Sequence, residues 1–98
     1  MLDTIDMWKY KIYSPKKSLT LLSELEKKWA ILYWIDGIFC LPDNKFQPSM
    51  ENSIDYSSRN AKFNIFNSSN LKIYKLAKDF IQHNTLPNLY FEIVTNEK

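Results

Sequence analysis

Apolar positions along this 98-residue chain switch between two periods, and the switches mark its elements. In residues 8–13, Trp8, Tyr10 and Ile12 alternate with lysines, as in a half-solvated strand, and Ser14-Pro15 ends the run. Residues 15–28 then place Leu19, Leu21, Leu22 and Leu25 at helical spacing, with Pro15 suited to a first turn and Ser14 or Ser18 as cap. Residues 29–35 are almost uniformly apolar and aromatic, which predicts a buried strand, and residues 38–41 are expected to pair back on it. Between them Asp36-Gly37 reads as a tight hairpin turn, because both residues tolerate positive φ.

Beyond Pro42 the stretch DNKFQPSMENS, with its proline, asparagines and small polar residues, predicts a long surface loop. Residues 53–56 and 61–66 read as two short strands around Ser57-Ser58-Arg59-Asn60, the second alternating Ala61, Phe63 and Ile65 with Lys62 and Asn64. A capping cluster at residues 67–70 precedes a helix over residues 71–84, built on Leu71, Ile73 or Tyr74, Ala77, Phe80 and Ile81. After Thr85-Leu86-Pro87-Asn88, a last strand over residues 89–94 turns Leu89, Phe91 and Ile93 inward. The sum is one α+β domain over residues 1–98: a mainly antiparallel sheet with two helices on one face, in the order β-α-β-β-β-β-α-β.

Composition narrows the chemistry. A hydrophobic fraction of 45% supports a folded core, and MLDTIDMWKY resembles neither a signal peptide nor a membrane anchor, so a reducing cytoplasm is the expected setting. With one cysteine and one histidine the chain has neither an internal disulfide nor soft ligands for zinc, and no cofactor is expected. Gly37, the single glycine, rules out a glycine-rich phosphate loop. His83 falls at the predicted end of a helix, where a cation meets the dipole favourably, and no nucleophile or base accompanies it, so an enzyme is not expected. Cys40, beside Phe39 in an apolar run, reads as a small buried hydrophobe with a raised pKa.

Thirteen basic and eleven acidic side chains leave a formal charge of only +2, so distribution matters more than the sum. Lys9, Lys11, Lys16 and Lys17 make the first fifth basic, and Lys72, Lys75 and Lys78 do so for a later segment. In an alternating strand or an amphipathic helix such lysines face water while the rings face the core, which argues against a nucleic-acid partner. The middle is acidic: Asp36, Asp43, Glu51 and Asp55 face only Lys45 between residues 36 and 55. If Trp34, Phe39, Phe46 or Tyr56 stands exposed beside these carboxylates, the result is an aromatic anchor in a charged surround, as a protein interface requires. A solvated loop over a core of rings is the alternative.

A helix ending in Lys27-Lys28, an apolar strand ending in Ile35-Asp36-Gly37, and then Leu41-Pro42 resemble the small immunity proteins that protect bacteria from tRNA-anticodon-cleaving colicins. A polar middle followed by the helix of residues 71–84 and the strand of residues 89–94 extends the likeness over residues 19–94. An added amino-terminal strand, a longer middle and a mildly basic charge set this chain apart, which keeps immunity proteins of contact-dependent inhibition systems equally in view. The resemblance implies a protein that covers the RNA-binding cleft of a cognate nuclease toxin domain, with carboxylates in the place of phosphates and no catalysis of its own. Trp34, Asp36, Phe39, Asp43, Phe46, Glu51, Asp55 and Tyr56 are the expected contacts, chosen for charge and exposure. A phage or plasmid inhibitor of another nuclease or defence complex, and a small RNA-binding module using Lys9, Tyr10, Lys11 and Tyr13, stay open.

Overall fold

The computed structural model describes residues 2–7 and 9–97; Trp8, expected at the start of the first strand, lies outside them. The elements run β1 (Thr4–Met7), β2 (Tyr10–Tyr13), α1 (Pro15–Lys27), β3 (Leu32–Leu41), β4 (Lys45–Asp55), α2 (Asn70–Gln82) and β5 (Leu89–Thr95). All pairings are antiparallel and the sheet order is β1-β2-β5-β3-β4. Since β5 separates β2 from β3, and β3 separates β4 from β5, each helix crosses a gap one strand wide. Two β-α-β units therefore interleave, and the last strand in sequence becomes the middle strand of the sheet.

Both helices pack on one face. Leu22 of α1 and Ile73, Tyr74, Ala77 and Ile81 of α2 share a buried core with Leu32 and Ile35 of β3 and Leu89 and Phe91 of β5. Ser14 caps α1, its hydroxyl accepting from the Lys17 amide at 3.2 Å, and Ser69 does the same for α2 with Lys72. Ser18 is instead buried and donates to the Tyr13 carbonyl. The Tyr74 hydroxyl donates to the Ala30 carbonyl at 2.8 Å, fastening α2 to the α1–β3 link. Its pKa is pushed up to about 12, first by burial and then by Glu26 and Glu97.

The α+β class and the antiparallel sheet with two helices agree with the hydrophobic pattern, but the element order is β-β-α-β-β-α-β, and four local expectations are corrected. Asp36-Gly37 is no turn: β3 runs straight through it for ten residues, flanked by β4 and β5. Gly37 has no positive φ and is required for another reason, since a Cβ there would stand 2.3 Å from the Asn52 carbonyl oxygen. The hairpin turns instead at Pro42–Asn44, where Asp43 (φ 66°) and Asn44 (φ 58°) take successive left-handed conformations that Asp and Asn tolerate.

The expected long loop after Pro42 is β4. It is an edge strand with a single hydrogen-bonded neighbour, so Pro48 and the polar side chains are accommodated without breaking a second ladder. Residues 61–66 form turns rather than a strand, because buried Asn64 satisfies the local backbone. Its amide donates to the Ala61 carbonyl at 3.0 Å and its oxygen accepts from the Phe66 and Asn67 amides. Finally Trp29, expected inside a strand, is 80% exposed in the link after α1.

Candidate functional site

Alternation along β3 and β5 sorts their side chains between the helix-covered face and the opposite, open face. Ile35, Phe39, Leu89, Phe91 and Ile93 join the helix core, while Ile38, Cys40 and Tyr90 point the other way. By the same alternation Trp34, Asp36, Glu92 and Val94 belong to the open face. That face has two halves. Toward the β3–β4 turn it is apolar, with Ile12, Ile38 and Tyr90 packed by Ile5, Met7, Cys40 and Phe46. Burial raises the pKa of the Cys40 thiol.

The other half is acidic. Asp36 lies directly across from Glu92 on the neighbouring strand, and Trp34 lies between Val94 and Asp55. Burial raises the pKa of the Glu92 carboxyl, and the charge of Asp36 and a hydrogen bond shared with it raise it further. Beside this pair the ladder between β3 and β4 jumps: Ile35 pairs with Ile54 but Gly37 pairs with Ser49, so residues 50–53 bulge out against the single residue Asp36. The Ser53 hydroxyl holds the bulge, accepting from the Gly37 amide at 3.0 Å and donating to the Ser49 carbonyl at 2.7 Å. Asn52 donates to the Ser49 hydroxyl at 2.9 Å.

The bulge puts Met50, 87% exposed, at the mouth of a cleft of about 370 Å³ lined also by Trp34, Asp36, Ser53, Ile54 and Asp55. Glu51, the residue after Met50, is exposed. Asp55 is held in place, one oxygen accepting from the Ser57 amide at 2.7 Å and hydroxyl at 2.6 Å. Among the described residues no lysine or arginine is seen in a salt bridge to Asp36, Glu51, Asp55 or Glu92; an ion pair of Lys78 with Glu26 at 2.7 Å joins the two helices.

Of the residues expected from sequence, then, Trp34, Asp36 and Asp55 share one cleft, while Glu51 is exposed in the bulge and is not among the residues lining it. Asp43 is apart, at the tip of the β3–β4 turn and seven residues from Asp36, on the order of 20 Å along an extended strand. Phe46 is half-buried in the apolar half of the open face. Two expected anchors are corrected: Phe39 packs against the helix core, and Tyr56 is 1% exposed inside it. Both fall on inward positions that only the strand register fixes. Glu92 and Met50 were missed, because Glu92 joins the acidic group only through cross-strand pairing and Met50 only through the bulge.

His83 is the C-cap of α2, its Nδ1 2.7 Å from the Asp79 carbonyl oxygen. Among the described residues no three His, Cys, Asp or Glu side chains converge on a metal-sized site, and no helix is long and apolar enough to cross a membrane. No protein-family model matches the chain, and no curated protein sequence matches it.

Proposed function

We propose that this chain is a non-catalytic inhibitor of the immunity-protein kind, which binds the basic cleft of a nuclease toxin domain through the acidic half of its open face. The observation that carries the reading is three carboxylates, Asp36, Asp55 and Glu92, gathered beside Trp34 and Met50 with no salt bridge to a cation among the described residues. A nuclease cleft uses Lys and Arg to hold a polyanion, so fixed carboxylates there take the position of phosphates through charge-assisted hydrogen bonds. Trp34 supplies a flat ring where a base would stack, and the adaptable Met50 side chain fills the remaining gap. Opposite fields on the two partners also speed encounter, so the complex forms faster at low salt.

The test is calorimetric titration with the toxin domain encoded by the neighbouring upstream gene, using matched charge deletions. The wild-type chain is expected to bind with a Kd of about 10 nM or tighter. Asp36→Asn is expected to weaken binding at least about tenfold, whereas Asp43→Asn, outside the acidic half, leaves it unchanged. Absence of binding below micromolar concentrations sinks the proposal, and equal losses from both variants sink the assignment of the face. An inhibitor of a different nuclease or defence complex would use the same face, and inhibition by this chain of a nuclease other than the upstream domain selects that reading.

A further inference from the structure

A second surface, on the opposite side of the sheet from the acidic face, carries its own sign. Where α1 ends, the Trp29 amide donates to the Glu26 carbonyl at 3.0 Å and the Ala30 amide to the Leu25 carbonyl at 3.1 Å. These two bonds make a Schellman motif, and its left-handed residue, normally glycine, is Trp29 with φ 60°. The chain thus holds a bulky residue in a strained conformation and leaves 80% of it in water. Neither burial nor backbone geometry accounts for a tryptophan at this position.

Trp29 forms one wall of an apolar groove of about 380 Å³, with Phe66 (54% exposed) and Ile31 (38% exposed) also at its surface and Ile65 and Ile73 lining it. Cations stand near it. Lys27 and Lys28 are exposed immediately before Trp29, and the Arg59 guanidinium sits 3.9 Å from the centre of the Phe66 ring. Asn70, the first residue of α2, lines the groove, so the positive end of that helix dipole faces it; the first turn of α2 carries Lys72 and no acidic residue. Glu26 and Glu97 are the carboxylates near Tyr74 on this side, and Glu26 is already paired with Lys78 at 2.7 Å.

From these observations we infer that the Trp29–Phe66 groove is a docking site for an acidic peptide segment of a partner protein that inserts a large apolar side chain. Charge complementarity selects an anionic occupant, and the isoleucines inside the groove, Ile65 and Ile73, suit an aliphatic or benzyl side chain between the two rings. The cations then pair with the acidic residues on either side of the anchor, and the partner covers the tryptophan that the fold leaves bare. The site is separate from the acidic face, so its failure leaves the proposed inhibitor function standing.

The probe is a fluorescein-labelled decapeptide of Asp and Glu with a central Leu-Phe pair, titrated against the full chain by fluorescence anisotropy. Saturable binding is expected, weakened about tenfold or more by Trp29→Gly and by Lys28→Glu, and abolished when Ser-Ser replaces Leu-Phe in the peptide. Trp29→Gly suits its backbone position, so a melting curve at or above that of the wild type shows that the loss is not unfolding. No saturation up to about 1 mM peptide overturns the inference. So does displacement of the peptide by a single-stranded RNA of similar length at lower concentration, which assigns the groove to nucleic acid. Concentration-dependent dimerisation that Trp29→Gly removes likewise overturns it, in favour of a second copy of the chain.

Discussion

Asn52 lies across Gly37: its carbonyl oxygen occupies the space where a side chain at position 37 would begin. This contact seats the β4 bulge against β3, and the bulge carries Met50 and Ser53 to the acidic cleft. Gly37→Ala would set a Cβ 2.3 Å from that oxygen and 2.8 Å from the Asn52 Cβ, neither of which can yield without moving backbone. A loss of about 1 to 3 kcal/mol is expected, read as a lower melting temperature and a lower urea midpoint. Because the bulge must lift, the proposed inhibitor function further expects this variant to bind a nuclease toxin domain more weakly than its stability loss alone explains.

Glu92 gives stability a pH dependence of definite sign. Its carboxyl has a raised pKa in the fold, chiefly through burial and then through Asp36, so the folded state holds its proton more tightly than the unfolded chain does. That contribution is fully present below the ordinary value of 4.5 and is lost as pH rises through the raised folded value. Glu92→Gln, which cannot ionise and still donates to Asp36, is expected to melt above the wild type at pH 7, with the difference shrinking toward pH 4. Melting curves at the two pH values check it.

Tyr56 carries a buried hydroxyl with no hydrogen-bond partner among the described residues, and burial pushes its pKa up to about 12. Removing an unsatisfied group leaves nothing newly unpaired. Tyr56→Phe is therefore expected to be neutral or stabilising by up to about 1 to 2 kcal/mol, and to delete one tyrosine from the titration that alkaline absorbance resolves near pH 12.

Trp29→Gly tests the strained helix end directly. Glycine takes φ 60° without steric cost, and the tryptophan gives up little burial, since four-fifths of it is already in water. A gain of about 1 kcal/mol is expected, or some 4 to 8 °C in melting temperature for a domain near this size. A buried tryptophan would behave in the opposite way, losing about 3 to 5 kcal/mol on truncation.

What the sequence determined by itself were features written in local periodicity: both helices, with their caps narrowed to Ser14 or Ser18 and to the cluster of residues 67–70, the inward run of Leu89, Phe91 and Ile93, and the capping place of His83. Each follows from spacing within one segment, where the chain is its own template. Only the tertiary structure decided that Asp36-Gly37 sits mid-strand, that Trp29 is outside and Tyr56 inside, and that Glu92 stands beside Asp36. The physical reason is that pairing register and bulges set those positions. They are settled by contacts such as Gly37 with Asn52, between residues far apart in the chain, and a glycine needed for close approach reads the same in sequence as one needed for a turn.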